Sequence, residues 1–223
     1  MKKYLFFILF LLITLNSTAF AYDIDLTKEG QYQKKIMEMG VNILNANRIE
    51  SRAIFWFTSN KYPNAYANTA KVVVIYSGLL PFIEDDSELA GIMSHEIAHT
   101  VDFNQGFWRT MAMGWSPKKY EEKADKKAVD YMVKAGYDPV AFIVVMNKIG
   151  GQYNKDWGMS HPLTSKRLAY IYGYIYQKYP AYLADNAYRT NIYYQNFLLT
   201  SKKDREKIIR ENQSLINVSN KKK

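Results

Sequence analysis

The chain has 223 residues, of which 48% are apolar and 23% are charged, and it contains three histidines and no cysteine. This length is sufficient for one domain with its own hydrophobic core and is short for two. The lack of cysteine excludes disulfide bonds, cysteine zinc sites and thiol catalysis, so a transition metal would have to be bound by histidine and carboxylate. The net charge of +9 raises the question of an acidic partner.

The first residues have the pattern of a secretory signal peptide. Two lysines precede an apolar run at residues 5–13, and the small-x-small sequence Ala19-Phe20-Ala21 follows. The run is shorter than the roughly 20 apolar residues that a membrane-spanning helix needs. We therefore predict a signal peptide at residues 1–21, cleaved after Ala21, and export to a bacterial periplasm. An uncleaved N-terminal membrane anchor is the alternative.

The basic excess lies mostly at the two ends of the chain. Residues 202–223 carry eight basic and three acidic residues, whereas residues 22–201 have a net charge of only about +2. Such a basic tail is typical of a solvated helix end or a disordered terminus. We predict a single domain at residues 22–201 followed by this tail, with peripheral contact between the tail and an anionic membrane surface as the alternative. Nucleic acid is not expected as a partner, because no basic–aromatic motif of a nucleic-acid-binding protein occurs.

Hydrophobic periodicity along the rest of the chain indicates an α+β fold class. An amphipathic helix is predicted at residues 29–46, and two short strands at residues 53–57 and 71–75 with a turn between them at 60–64. The remainder of the pattern is helical. The predicted helices cover residues 86–103, 118–135, 139–149 and 164–178, with one or two more before the end of the chain. The fold is thus predominantly helical, with a small sheet near the N-terminus.

The sequence His95-Glu96-x-x-His99 lies within the first of these later helices. Asp85, Asp86 or Ser87 can cap that helix and Glu88 can close a capping box, so the helix should begin just upstream of the motif. Residues four apart share one helix face, so both histidines can hold one metal ion, and Glu96 can take a proton from a water molecule on it. The alternative is an ordinary helix with two surface histidines.

The next helix offers a third ligand. Its outward face is rich in lysine, and two carboxylates lie on the opposite, small-residue side. Buried carboxylates without partners are costly, so something positive should meet them. A metal ion for Glu121 and a histidine N–H for Asp125 would satisfy both, whereas the alternative is a surface ion-pair face. The predicted inward stripe consists of Glu121, Ala124, Asp125, Ala128 and Met132.

The third histidine, His161, precedes Pro162. Proline forces an extended conformation on the residue before it, and Thr164 or Ser165 can cap the helix that follows. His161 is therefore expected on a loop at the start of a helix, from which an imidazole can reach into a cleft. One proposed site then accounts for all three histidines of the chain.

Together these motifs resemble the HtpX and CAAX-prenyl-protease type of gluzincin zinc metallopeptidase, metallopeptidase family forty-eight, and particularly its small exported bacterial members. The resemblance covers roughly residues 30–178 and rests on several linked motifs. The matching residues are, in chain order, Asn64-Ala65-Tyr66-Ala67, residues 72–80, His95-Glu96-x-x-His99, Glu121-x-x-Ala124-Asp125, Gly136-Tyr137-Asp138-Pro139, and Ser160-His161-Pro162 with Arg167.

The resemblance implies a zincin-like metallopeptidase domain with one Zn²⁺ per chain. Its zinc ligands would be His95, His99 and Glu121, with water in the fourth position. Glu96 would be the general base and later the proton donor. The fold implied is the same α+β arrangement that the periodicity indicates.

Three further roles follow from the resemblance. Asp125 would orient a zinc ligand, with Arg167 also behind the ligands, and His161 would donate a hydrogen bond to the oxyanion of the tetrahedral intermediate. Residues 64–74 would form an exposed strand edge that pairs with an extended polypeptide substrate by β-addition. The substrate-binding residues expected on this edge are Asn64, Ala65, Tyr66 and Ala67.

We therefore expect a zinc endopeptidase that hydrolyses peptide bonds of unfolded or misassembled envelope proteins. Two other functions remain open: a zinc-bound periplasmic binding or chaperone module in which His161 closes the site as a fourth ligand, and a membrane-surface adaptor that acts through residues 202–223. A prenyl-protease role is not expected, because the membrane spans of the integral-membrane family members are missing. Any lid should come from residues 106–115 or 150–160. The sequence leaves the oligomeric state open.

Overall fold

The computed structural model describes residues 28–103, 117–152 and 165–220. It confirms the α+β class, with a small three-stranded sheet followed by a series of helices. Among the described helices, none is both long enough and apolar enough to cross a membrane. The elements are, in chain order, α1 (Lys28–Ala46), β1 (Ile54–Thr58), β2 (Ala65–Ala67), β3 (Val72–Tyr76), a 3₁₀ helix (Ser77–Phe82), α2 (Asp86–Phe103), α3 (Pro117–Lys134), α4 (Val140–Gln152), α5 (Ser165–Lys178), α6 (Ala181–Ala184), α7 (Ile192–Thr200) and α8 (Lys202–Asn220).

Strand β3 is the centre of the sheet, with β1 parallel on one side and β2 antiparallel on the other. Side chains alternate along β1, so Phe55 and Phe57 are buried while Ile54 and Trp56 are exposed. Helix α1 packs on the strand through Gly40. A side-chain carbon at this glycine would lie 2.5 Å from the Phe55 ring, so the close approach requires glycine.

The sheet order corrects one expectation. The prediction of an exposed strand edge at residues 64–74 is wrong for residues 72–74. These residues belong to β3, which is hydrogen-bonded to a strand on each side and has no free backbone groups for a substrate. Of this segment only β2 lies at an edge. The chain reverses after β2, where the carbonyl of Asn68 accepts the N–H of Lys71 at 2.9 Å and Lys71 adopts a positive φ of 64°. This tight reversal places β3 inside the sheet.

Helix α2 is the central helix of the core. It packs against α1, α3, α4 and the sheet. Residues 88–100 are all buried, so the helix is covered on every side over more than three turns. Any polar residue on this stretch therefore points into the protein interior, which is where the histidine motif lies.

The start of α2 is held by the predicted cap and by a buried ion pair. Of the three cap candidates in the sequence, Asp85 is the one whose Oδ1 accepts the backbone N–H of Glu88, at 2.9 Å. In a capping box, Glu88 would accept the backbone N–H of the cap residue Asp85. It instead accepts the N–H of the preceding residue, Glu84, at 2.7 Å. Its other oxygen accepts Lys148 Nζ of α4 at 2.6 Å, and both side chains are buried. The N-terminus of α2 is thereby fixed against α4.

The basic C-terminal segment forms helix α8, which packs on α5 and is not a disordered terminus over residues 202–220. Ile208 is buried, and a side-chain carbon at Gly173 of α5 would lie 2.6 Å from it. The guanidinium of Arg205 lies 4.9 Å from the ring centroid of Tyr172. Aromatic residues of α5 thus help to attach this segment to the domain.

Candidate metal centre

Helix α2 brings His95 and His99 together inside the protein. Their Nε2 atoms are 3.1 Å apart, and their rings are perpendicular with centroids 4.6 Å apart. Only 2% of His95 and 6% of His99 are exposed. The alternative of two surface histidines is therefore wrong, because the spacing of four residues presents both imidazoles on one buried helix face.

Helix α3 supplies a third donor. Oε1 of Glu121 lies 3.2 Å from Nε2 of His99, and Oε2 lies 3.4 Å from Nε2 of His95. The three buried residues offer ligand atoms that all lie within 4.8 Å of one another. A tetrahedral zinc ion with nitrogen and oxygen ligands at about 2.0–2.2 Å needs its donors to be about 3.3 Å apart. The donor types and their spacing therefore fit one metal ion.

Asp125 fixes the orientation of the His95 ring. It lies one turn after Glu121 on α3, and its Oδ1 is 3.0 Å from Nδ1 of His95. A carboxylate at one ring nitrogen sets the tautomer, because it accepts the proton that this nitrogen donates. With the proton on Nδ1, Nε2 is left to face Glu121 as a metal ligand.

Arg167 of α5 contacts both carboxylates of the cluster. Its Nε and Nη2 donate to the two oxygens of Asp125 at 2.7 Å each, and its Nη1 lies 2.8 Å from Oε2 of Glu121. Paired bonds between a guanidinium and a carboxylate fix the angle as well as the distance. Arg167 is buried, so its charge compensates two acids that would be costly to bury alone.

These buried charges shift the pKa values of the cluster. Burial lowers the pKa of His95, but its contacts with Asp125 and Glu121 outweigh burial and raise that pKa to about 10. Burial also opposes ionisation of Asp125, but the neighbouring Arg167 charge and the contact with His95 keep its pKa below the usual range. The metal-free cluster therefore holds a proton that a metal ion has to displace.

The predicted inward stripe of α3 is confirmed. Lys126, on the opposite side of the helix, is exposed. The alternative of a surface ion-pair face is wrong for the two stripe carboxylates, because they meet buried partners from α2 and α5. The buried residues of the stripe are Glu121, Ala124, Asp125, Ala128 and Met132.

Of the residues expected to act on the substrate, the structure describes Glu96 but not His161. Glu96 follows His95 on α2 and is 1% exposed. His161 and the expected lid segment at residues 106–115 lie outside the described residues. Of the other expected lid segment, residues 150–152 belong to α4, and residues 153–160 also lie outside the described residues. The structure therefore leaves the role expected of His161 as a prediction.

The residues expected to bind substrate lie on and beside β2. The backbone carbonyl of Asn64 accepts the N–H of Tyr76 at 3.0 Å, and its side-chain Oδ1 is buried without a hydrogen bond from the described residues. Ala65 is buried, while Tyr66 and Ala67 are half-buried. Ala65, Tyr66 and Ala67 form the edge strand and Asn64 directly precedes it, and their role in substrate binding stays a prediction.

Sequence reasoning misses one buried charge beside the cluster. Asp102 lies three residues after His99 on α2, is 1% exposed, and accepts hydrogen bonds from Lys123 and Lys127 of α3 at 2.8 and 2.7 Å. The two lysines are four residues apart and flank Asp125, so they share a helix face close to the inward stripe. That placement is a signal from which a buried acidic partner can be inferred, but not the helix that supplies it.

Comparison with known proteins identifies the family. The sequence model of peptidase family M48 matches residues 28–111 and 103–175, which is more than half of the chain. The chain belongs to peptidase family M48. The match contains the whole His95–His99–Glu121 cluster and also Arg167. The family to which the sequence motifs point is thereby confirmed.

Individual M48 relatives are distant. The beta-barrel assembly-enhancing proteases of Yersinia pestis and Escherichia coli (strain K12) are 22% and 23% identical, over 57% and 60% of this chain. The mitochondrial metalloendopeptidase OMA1 of Arabidopsis thaliana is 26% identical over 47% of this chain. The matches span only 35%, 37% and 28% of the respective relatives. They agree with a metallopeptidase and leave the substrate of this chain open.

Proposed function

We propose that the chain is a zinc endopeptidase whose single Zn²⁺ is bound by His95, His99 and Glu121. The observation that carries this proposal is the convergence of three buried donors, held by Asp125 and Arg167. Membership of family M48 supports it. Three protein ligands are typical of catalytic zinc, which keeps a fourth position for water, whereas structural zinc is usually enclosed by four.

The chemistry that we propose divides between the metal and Glu96. Bound zinc supplies a Lewis acid that polarises the scissile carbonyl and acidifies water. Glu96 takes a proton from the attacking water as the new bond between oxygen and the carbonyl carbon forms. Glu96 then gives this proton to the amine nitrogen as the C–N bond breaks. The products are one new carboxyl terminus and one new amino terminus, and Glu96 ends in its starting state.

We propose that the polypeptide substrate pairs with the free edge of β2, along Asn64, Ala65, Tyr66 and Ala67. An edge strand offers unpaired N–H and C=O groups to an extended chain, and the small alanine side chains allow its backbone to approach closely. His161, a few residues before α5, is proposed to donate a hydrogen bond to the oxyanion that develops on the carbonyl oxygen.

The biological setting that we propose is the bacterial periplasm, with unfolded or misassembled envelope proteins as substrates. The pattern at residues 1–21 supports export. The name of the bacterial relatives, beta-barrel assembly-enhancing protease, supports a substrate among such proteins. Because the matches span 35–37% of those relatives, their complete activity is not carried over.

Replacing Glu96 with glutamine tests the proposal. The change preserves side-chain volume and removes the base, so we expect cleavage of a dye-labelled unfolded protein to fall about a hundredfold or more while one zinc per chain stays bound. Glu122→Gln, a half-buried glutamate on the outward side of α3, is the matched control and should retain cleavage. Unchanged cleavage by zinc-loaded Glu96→Gln would refute the proposed mechanism.

Zinc coordination distinguishes this open site from the closed binding module. X-ray absorption of the zinc-loaded protein should reveal two imidazole ligands, from His95 and His99. His161→Ala should then lower kcat without loss of zinc. A third imidazole that disappears in His161→Ala would instead support a closed site and contradict the peptidase assignment.

A further inference from the structure

The sheet has two faces, and only the inner one joins the core. Phe55 and Phe57 of β1 belong to the main hydrophobic core of the described residues. On the other face of the strand, 58% of Ile54 and 57% of Trp56 remain exposed. Val74, opposite Trp56 in the β1–β3 register, is buried yet lies outside that core. The outer face is therefore apolar without contributing to the core.

Strand register makes this outer face a continuous surface. Trp56, Val74 and Tyr66 lie side by side across the three strands. Tyr66 also meets Tyr76 edge-on, with ring centroids 6.0 Å apart. We call this surface the outer sheet face. It consists of Ile54, Trp56, Tyr66, Val72, Val74 and Tyr76.

The chain segment that forms the sheet carries charges of a single sign. Residues 51–83, between Glu50 and Glu84, contain no acid and three basic residues. Arg52 lies two residues before β1 and Lys71 directly before the parallel strand β3, so both lie at the same end of the sheet. Lys61 follows β1 at the other end, where it lines a pocket together with Glu84. Within the described part of the chain, Arg52, Lys61 and Lys71 form no ion pair. Two basic residues thus lie at one end of an apolar centre.

We propose that the outer sheet face binds the surface of an anionic lipid membrane. Tryptophan and tyrosine are suited to the boundary between water and lipid, because each ring has an apolar body and a polar group. Arg52 and Lys71 at one end of the face would lie at the level of the lipid phosphates. An unfolded polypeptide would also use an apolar surface, but it gives no reason for the lack of acids over 33 residues. This inference does not depend on the peptidase activity.

The cysteine-free sequence allows a direct test on the full chain. An environment-sensitive fluorophore is attached to Ile54→Cys, on the outer sheet face, or to Ile192→Cys, which is 74% exposed at the start of α7. With vesicles of phosphatidylcholine that contain phosphatidylglycerol, we expect a blue shift and an increase in emission at position 54 only. Vesicles of phosphatidylcholine alone should give little change at either position.

Neutralising the basic residues tests the electrostatic part. Arg52→Gln with Lys71→Asn, in the labelled Ile54→Cys chain, should weaken binding to the phosphatidylglycerol vesicles about thirtyfold, since each basic residue near an anionic surface contributes about fivefold. Asparagine tolerates the positive φ at position 71. Lys203→Gln with Lys207→Gln on α8 removes the same charge from two exposed sites and is the matched control.

Several outcomes would overturn the inference. Equal responses at positions 54 and 192 would show that the vesicles do not contact the outer sheet face in particular. Equal responses to both kinds of vesicle would show that the contact does not depend on anionic lipid. A response at position 54 to an unfolded polypeptide but not to vesicles would assign the face to a protein partner. A larger loss in the α8 control than in the Arg52 and Lys71 variant would place membrane contact on the tail.

Discussion

His95 is constrained at both of its ring nitrogens. Nε2 faces Glu121 at 3.4 Å and Nδ1 faces Asp125 at 3.0 Å, while the ring packs with its centroid 5.9 Å from that of Phe142 on α4. A ring that is held on three sides keeps one orientation, so the ring does not have to be reoriented when a metal ion binds. Metal affinity should therefore depend on Asp125, although this carboxylate is not one of the three proposed ligands.

Asp125→Asn should weaken zinc binding about 10- to 100-fold. The amide removes the negative charge that pairs with Arg167 and accepts the proton of His95 Nδ1. Affinity is measured by competition with a chromophoric chelator at neutral pH. Asp130→Asn on the same helix, whose carboxylate bonds Tyr174 and Lys178 outside the cluster, is the control and should bind zinc normally. Wild-type affinity in Asp125→Asn would rule out the orienting role.

Spacing along single helices predicts much of this site. Positions four apart on α2 and on α3 each present two polar side chains to one face, and the structure brings those faces together. Arg167 is different, because it is 42 residues from Asp125 and lies on another helix. No periodicity within a helix states which other helix packs against it, so only the family resemblance points to this arginine.

Charge as well as packing holds helices α2 and α3 in register. Asp102 on α2 accepts hydrogen bonds from Lys123 and Lys127, and Lys123 lies between Glu121 and Asp125 along α3. A shift of α3 along α2 would break these bonds and move Glu121 away from the histidines. Burial raises the pKa of Asp102, but the two lysines lower it more, so the pKa lies below its ordinary value.

Asp102→Asn should lower the free energy of unfolding by about 2 kcal/mol at neutral pH, because two charge-assisted hydrogen bonds to a buried carboxylate are lost. A pKa that is lower in the folded than in the unfolded state stabilises the protein above the unfolded value, near pH 4, and this stabilisation is lost as the pH falls through the folded value. The difference from wild type, measured by urea unfolding, should therefore shrink below about pH 4. The exposed Asp185→Asn is the control, and a difference that stays constant with pH would contradict the argument.

Elements differ in how far sequence specifies them. The long helices have enough turns for a period of 3.6 residues to be recognised, and α2 begins and ends where the pattern predicts. Strand β2 has three residues, too few for alternation to show. The central position of β3 depends on pairing with β2, and because this pairing does not show in the sequence, the predicted exposed edge is too long.

The metal cluster joins three helices that are distant along the chain. His95 and His99 come from α2, Glu121 from α3, and the supporting Arg167 from α5. Because the three donors converge only in the folded chain, zinc should bind the native state in preference to the unfolded state. The stability of the whole domain should then vary with zinc concentration.

Removal of zinc should lower the melting temperature by about 10 °C. Zinc at about a thousand times its Kd contributes about 4 kcal/mol, and each kcal/mol shifts the midpoint of a domain of this size by about 2–4 °C. Calorimetry of chelator-treated and zinc-loaded protein measures the shift. Glu96→Gln should retain it, because this glutamate is the proposed base and not a ligand, whereas His99→Ala should lose most of it. An equal zinc-dependent shift in His99→Ala would mean that zinc stabilises the protein from another site.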